Sequence, residues 1–260
     1  MALLARIAAS PRARIEVLGH TLDGRDMELV TIGVPGPGKR ACWIVARHHP
    51  GETQGEFAAE RILERLTDEA DSVVRRLLER AAVYIIPNMN PDGSGRGNHR
   101  VNAASVDLNR AWSNTTPDKS PEVFLVRERM RATGVDFCLD LHADEREHWV
   151  WPVGNTGIPS FTERLAALRS SFDRALVRAS PDYRPDKPDR KIDMAAGTDP
   201  LAMCTSWVAE IFDCLAVIIE LPFLDNTEAP DLRTGWSPRR SALFGAACVD
   251  ALAAIIDELR

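Results

Sequence analysis

Arg47-His48-His49-Pro50-Gly51-Glu52 places two imidazoles and a carboxylate within one short stretch, directly after the apolar residues 41–46. His49 and Glu52 have H-x-x-E spacing, and an imidazole and a carboxylate so placed can converge on one cation. Zinc accepts both ligand types, and a catalytic zinc keeps about three protein ligands plus water. A third donor is therefore expected from another strand end. His142, in Asp140-Leu141-His142-Ala143-Asp144-Glu145, fits that place, with Asp140 and Asp144 available to orient imidazoles from behind. By residue type His48 is as good a ligand as His49, and the spacing leaves the two open. His99 and His148 read as surface or hydrogen-bonding histidines.

Val217-Ile218-Ile219-Glu220-Leu221-Pro222-Phe223 sets one carboxylate inside a strongly apolar run. An unpaired carboxylate buried there would cost on the order of several kcal/mol. Glu220 is therefore either an outward-facing residue at a strand end or a general base beside a metal, its pKa raised by burial and lowered by the cation. Between these segments runs an Asn-rich stretch: Ile86-Pro87-Asn88-Met89-Asn90-Pro91-Asp92-Gly93, then Gly97-Asn98-His99-Arg100, then Asp107-Leu108-Asn109-Arg110-Ala111-Trp112. A guanidinium grips a carboxylate through a planar fork of donors, which suits Arg110 with Asn109 to a substrate carboxylate. Arg100 could stabilise the oxyanion of a tetrahedral intermediate. Ordinary turn chemistry also explains Asn, Asp and Gly here.

The elements that must hold these residues alternate. Residues 27–32, 41–46, 82–86, 135–141 and 215–221 are short apolar runs rich in Val and Ile, as buried strands are. Helical periodicity covers 56–66, 73–80, 122–131, 161–179 and about 238–258. Alternation of this kind predicts an α/β fold with helices covering a largely parallel or mixed sheet. Residues 87–116 and 181–200 interrupt the rhythm as long polar loops, which in a compact domain tend to be functional or mobile. No repeat and no linker is evident, so one domain is expected.

Taken in order, these pieces resemble the M14-type zinc metallocarboxypeptidases, and among them the cytosolic carboxypeptidase branch. The segments that carry the resemblance are His49-Pro50-Gly51-Glu52, Pro87 to Gly93, Gly97 to Arg100, Asp107 to Arg110, Asp140-Leu141-His142 and Ile219-Glu220, with Leu18 to Arg25 similar to the family's first turn. The resemblance spans about residues 15–255. It implies an α/β/α sandwich around a mixed, mostly parallel twisted sheet, one zinc on His49, Glu52 and His142, and Glu220 as the base that activates water and protonates the leaving amine. It further implies that Arg100 polarises the scissile carbonyl and that Asn109 and Arg110 fix the terminal carboxylate of a peptide or protein tail. Two features depart from the pattern. Tyr84 and Tyr183 are the only tyrosines, and neither stands some twenty residues before Glu220, where secreted members carry a substrate-capping one. The β-sandwich domain that cytosolic members carry ahead of the catalytic one is also expected to be absent, because the pattern begins close to Met1.

Composition narrows the alternatives. Hydrophobic residues make up 45% of the 260, which excludes a disordered chain. A net charge of −6 argues against a nucleic-acid partner. No run approaches the ~20 apolar residues of a membrane span. Cys42, Cys138, Cys204, Cys214 and Cys248 have no C-x-x-C spacing and read as buried thiols of a reducing compartment, so a cytoplasmic address is expected. A zinc deacylase of N-acyl amino acids shares the zinc pattern and the D-L-N-R segment, but residues 87–93 and 97–100 favour the peptidase. A peptide-binding module without activity would be expected to lack a ligand or the base. Arg184, Lys187, Arg190 and Lys191 form a basic cluster that either attracts an acidic substrate or is a solvated loop.

Overall fold

A computed structural model describes residues 2–153, 158–187 and 199–259. Its strands are β1 (Ala13–His20), β2 (Asp26–Ile32), β3 (Arg40–Ala46), β4 (Ala81–Ile86), β5 (Phe137–Asp144), β6 (Trp151–Val153) and β7 (Leu215–Pro222). Its helices are α1 (Ala2–Ala8), α2 (Thr53–Thr67), α3 (Ser72–Arg80), α4 (Pro91–Arg96), α5 (Pro121–Thr133), α6 (Glu163–Ala179), α7 (Cys204–Phe212) and α8 (Pro238–Ile255), with a 3-10 turn at Leu108–Arg110. The sheet runs β1-β2-β4-β3-β5-β7-β6. Its centre, β4-β3-β5-β7, is parallel, and β1, β2 and β6 are antiparallel flanks.

Strand alternation sorts side chains onto two faces. Cys42, Ile44 and Ala46 of β3, with Leu139 and Leu141 of β5 and Val217 and Ile219 of β7, pack beneath α2, α3, α6 and α8. Trp43 and Val45, with Cys138 and Ala216, pack on the other side against α5 and α7. Helices on both faces make the expected α/β/α sandwich. On α2, Ala58, Ala59, Ile62, Leu63 and Leu66 are all buried, a stripe at helical spacing. Asp71 caps α3 by accepting the Val73 and Val74 N–H groups at 2.9 and 3.1 Å.

All five expected strands and all five expected helices are present, with ends shifted by up to three residues. Five elements were not anticipated, one of them the short helix α1. Strand β1 is an edge strand with Arg14, Glu16 and His20 diluting its apolar pattern, and β6 has only three residues, one of them Pro152. Helix α7 is nine residues of β-branched and aromatic character, CTSWVAEIF, whose helical state is set by packing rather than propensity. Within the expected loop 87–116 lies α4, started by Asn90, whose Oδ1 accepts the Gly93 N–H at 2.9 Å. Of the expected loop 181–200, residues 188–198 lie outside the described residues. All five cysteines are buried and unpaired, as expected.

Among the described residues no helix is long and apolar enough to cross a membrane.

Candidate metal centre and active-site cavity

The carboxyl ends of β3, β5 and β7 converge, as strand ends do where α/β sheets hold ligands. Beyond β3 the chain turns sharply at Arg47, whose φ of 61° is unusual for a residue with a side chain. Arg47 is held by the Pro50 carbonyl at 3.0 Å and by Glu56. This turn delivers His48 and His49 to the sheet end and starts α2 at Glu52.

Glu52 occupies the N-cap position of α2, where a short side chain would ordinarily accept a helix N–H, yet it makes no such bond. Its carboxylate turns instead to the imidazoles. Oε1 lies 2.6 Å from His49 Nδ1, and Oε2 lies 2.8 Å from His142 Nδ1 and accepts the Ala143 N–H at 3.1 Å. His49, Glu52 and His142 are buried, and one donor atom from each lies within 4.8 Å of the others. Two imidazole nitrogens and a carboxylate, crowded together in a buried site, make the donor set that zinc takes. Glu52 is held down to about 2: burial pushes its carboxyl up, and the His142 and His49 imidazoles outweigh that. His142 is raised well above the ordinary imidazole range, since burial is overcome by the Asp140 and Glu52 carboxylates. Both directions are those of opposite charges held in contact in a buried site.

The far nitrogens of the two imidazoles are also held. His49 Nε2 lies 3.1 Å from Asp107 Oδ1, and the other Asp107 oxygen accepts Arg100 Nε at 2.8 Å. His142 Nε2 lies 3.1 Å from Asp140 Oδ2 and 3.1 Å from Asn109 Nδ2. His48, the alternative ligand, has both nitrogens engaged elsewhere, with Nδ1 3.0 Å from Asp140 Oδ1 and Nε2 accepting Trp112 Nε1 at 3.2 Å. Burial keeps His48 below the ordinary imidazole range. Of the two adjacent histidines, His49 is the one that faces Glu52.

A cavity of about 460 Å³ opens over this cluster, lined by His49, Glu52, Arg100, Asn109, Arg110, His142, Met203, Ile218 and Glu220 among others. Glu220 faces this cavity at the end of β7, on the same face as Ile218, so it is neither sealed in the core nor turned to open solvent. Burial pushes its carboxyl up to about 8, and Glu52, Asp144 and Asp140 add to the rise while His142 opposes it. The 3-10 turn carries Asn109 and Arg110. Asp107 caps it through the Asn109 N–H at 3.0 Å, and Asn109 Oδ1 accepts the Cys204 N–H at 2.9 Å, which ties the turn to the start of α7.

All seven residues singled out by sequence thus line one cavity. His99 also lines it, paired with Glu145 at 2.9 Å, and His148 lies 2.9 Å from the Asp225 carbonyl. Asp144 lines the cavity and accepts the Arg146 N–H at 2.7 Å. Arg184 and Lys187 are not in its wall. Both pair with Glu228, and Arg184 also with Asp186, which favours the solvated-loop reading. Arg190 and Lys191 lie outside the described residues. Tyr84 stacks on Trp43 and Tyr183 is buried beside Phe244, so neither reaches the cavity. The roles of Asp107 and Trp112 escaped the sequence reading, although both stand in the same D-L-N-R-A-W segment as Asn109 and Arg110.

Comparison with known proteins agrees with this geometry. An uncharacterised protein of Zymomonas mobilis is 42% identical over 99% of this chain and 66% of its own length. The mouse cytosolic carboxypeptidase 6 is 32% identical over 49% of this chain and 26% of its own. The chain thus spans less than two thirds of these relatives. A solved structure of a metallo-carboxypeptidase from Pseudomonas aeruginosa, in complex with (2-guanidinoethylmercapto)succinic acid, superposes with a TM-score of 0.92. It is 38% identical, and the match covers 100% of this chain and 68% of that one. The sequence pattern of zinc carboxypeptidases matches residues 1–228. With that match over most of its length and a zinc-type donor set at its strand ends, the chain belongs to the zinc carboxypeptidase family.

Proposed function

We propose that this chain is one catalytic domain that removes C-terminal residues from peptides or protein tails. The observation that carries the proposal is the meeting of His49, Glu52 and His142 with Glu220 and Arg110 in a single cavity. His49, Glu52 and His142 would hold one zinc ion, which when bound polarises a carbonyl and acidifies water.

The chain's own groups divide the remaining work. Glu220 takes the proton of the attacking water on its carboxylate and delivers it to the departing amine. A carboxyl raised by burial suits that double duty, and a neighbouring cation would lower it toward working pH. Arg110 and Asn109 line the same cavity as Glu220 and would supply forked donors for the terminal carboxylate. Arg100, held by Asp107, would stabilise the charge developing on the carbonyl oxygen. Free access to the cytoplasm and absence of a nucleic-acid partner go with this reading.

The test is mass spectrometry of a peptide library offered to zinc-loaded protein, each peptide with a free and an amidated C-terminus. Stepwise shortening of free-acid peptides alone is expected. No trimming by protein that holds zinc, with hydrolysis of small N-acyl amino acids instead, would replace the peptidase by a deacylase.

A further inference from the structure

Beneath the third ligand lies a buried polar chain that the chemistry above does not use. Trp112, His48, Asp140 and His142 are all essentially inaccessible to solvent. The Trp112 indole N–H donates to His48 Nε2 at 3.2 Å. An indole nitrogen can only donate, so His48 Nε2 must be the acceptor and the imidazole proton must sit on Nδ1. That Nδ1–H then points at Asp140 Oδ1, 3.0 Å away. The other oxygen, Oδ2, has no aligned hydrogen bond and lies 3.1 Å from His142 Nε2. The His48 ring stacks on the His142 ring, with centroids 5.5 Å apart and planes 4° from parallel. The Cys204 thiol also borders Asp140.

We propose that His48 is a positioning residue for zinc: its tautomer fixed by Trp112, it anchors one oxygen of Asp140 so that the other is held to His142 Nε2. Asp140 Oδ2 and the Asn109 amide, each 3.1 Å from His142 Nε2, then hold the ring so that Nδ1 faces Glu52 and the metal site. The proposal rests on the reading of His142 as a zinc ligand. Without the His48 donor, Asp140 would be a fully buried carboxylate with an unsatisfied oxygen, free to rotate away from His142. Groups behind a metal ligand commonly contribute about 10–100-fold in metal affinity.

The experiment measures zinc affinity of the full chain by competition with a chromophoric chelator, together with the visible spectrum of the cobalt(II)-loaded protein. His48→Leu is expected to bind zinc about 10–100-fold more weakly and to shift the cobalt bands. His48→Asn places an amide N–H where the imidazole Nδ1–H was, and should restore both toward wild type. Wild-type affinity and an unchanged cobalt spectrum in His48→Leu would overturn the proposal, as would failure of Asn to outperform Leu. If circular dichroism shows that His48→Leu does not fold, Trp112→Phe decides, because it removes the tautomer-fixing N–H while keeping an aromatic ring in place. A fall of about threefold or more then supports the proposal and a smaller one overturns it. Failure of the wild-type chain to bind zinc would instead undo the ligand assignment itself.

Discussion

His142 and Glu220 are paired in register across the parallel strands β5 and β7. Neighbouring strands lie about 4.8 Å apart, so the two side chains stand side by side on one face of the sheet. The proposed ligand and the proposed base are distant in sequence and must be brought together by the fold. Here two adjacent strands do it, and neither residue can be moved without shifting the sheet.

That pairing makes Glu220→Gln the sharpest test of the base. The amide keeps size and hydrogen bonding but cannot accept a proton. Turnover should fall by about 10²–10⁴-fold, while zinc content measured by atomic absorption stays near one per chain. Loss of zinc from this variant would make Glu220 a ligand instead.

Arg110→Ala should raise KM for free-acid peptides by about tenfold or more and leave zinc content unchanged, because the charged fork is lost. Side-by-side kinetics on free-acid and amidated peptides check this. An equal effect on both would show that Arg110 does not read the terminal carboxylate.

Gly55 lies in the first turn of α2, three residues after Glu52, and a Cβ there would stand 2.5 Å from the Leu141 carbonyl of β5. Close approach at this point is what brings Glu52 to His142. Gly55→Ala should force α2 away from β5, at a cost of about 1–3 kcal/mol, and weaken zinc binding as well. Urea unfolding and zinc titration measure the two effects. Unaltered zinc affinity would mean that α2 can shift without opening the metal site.

Glu122 predicts a pH effect remote from the metal. It is fully buried, with Asn102 Nδ2 at 3.2 Å from one oxygen, and burial pushes its carboxyl up to about 7 against the Asn102 contact. The folded protein therefore holds this proton more tightly than the unfolded chain, whose carboxyl titrates near 4.5. Its stability is fully present below about pH 4.5 and is lost as pH rises to about 7, by up to roughly 3 kcal/mol. Relative to wild type, Glu122→Gln should gain stability at pH 8 and lose that advantage by pH 4. Urea midpoints of the metal-free proteins across this range test it, and a pH-independent difference would refute it.

Much of this was legible in the chain before folding. Residues 41–46 and 82–86 are so apolar that only strands buried on both faces accommodate them. The H-x-x-E spacing, His142 and Glu220 each sit at the end of such a run, which is why a metal set and a base could be proposed from sequence. Polar dilution hid β1, three residues were too few to mark β6, and α7 carries strand-like residues that packing makes helical. Residue type and spacing left His48 and His49 open, and only the family resemblance pointed to His49. Both are imidazoles at adjacent positions, and only the turn at Arg47, with Trp112 arriving from a segment sixty-four residues away, decides which one faces Glu52. Residue type determines which chemistry is available to this protein. Which atoms meet is decided by the register of β5 on β7 and the seating of α2 against β5, because those contacts join parts of the chain that local pattern cannot relate.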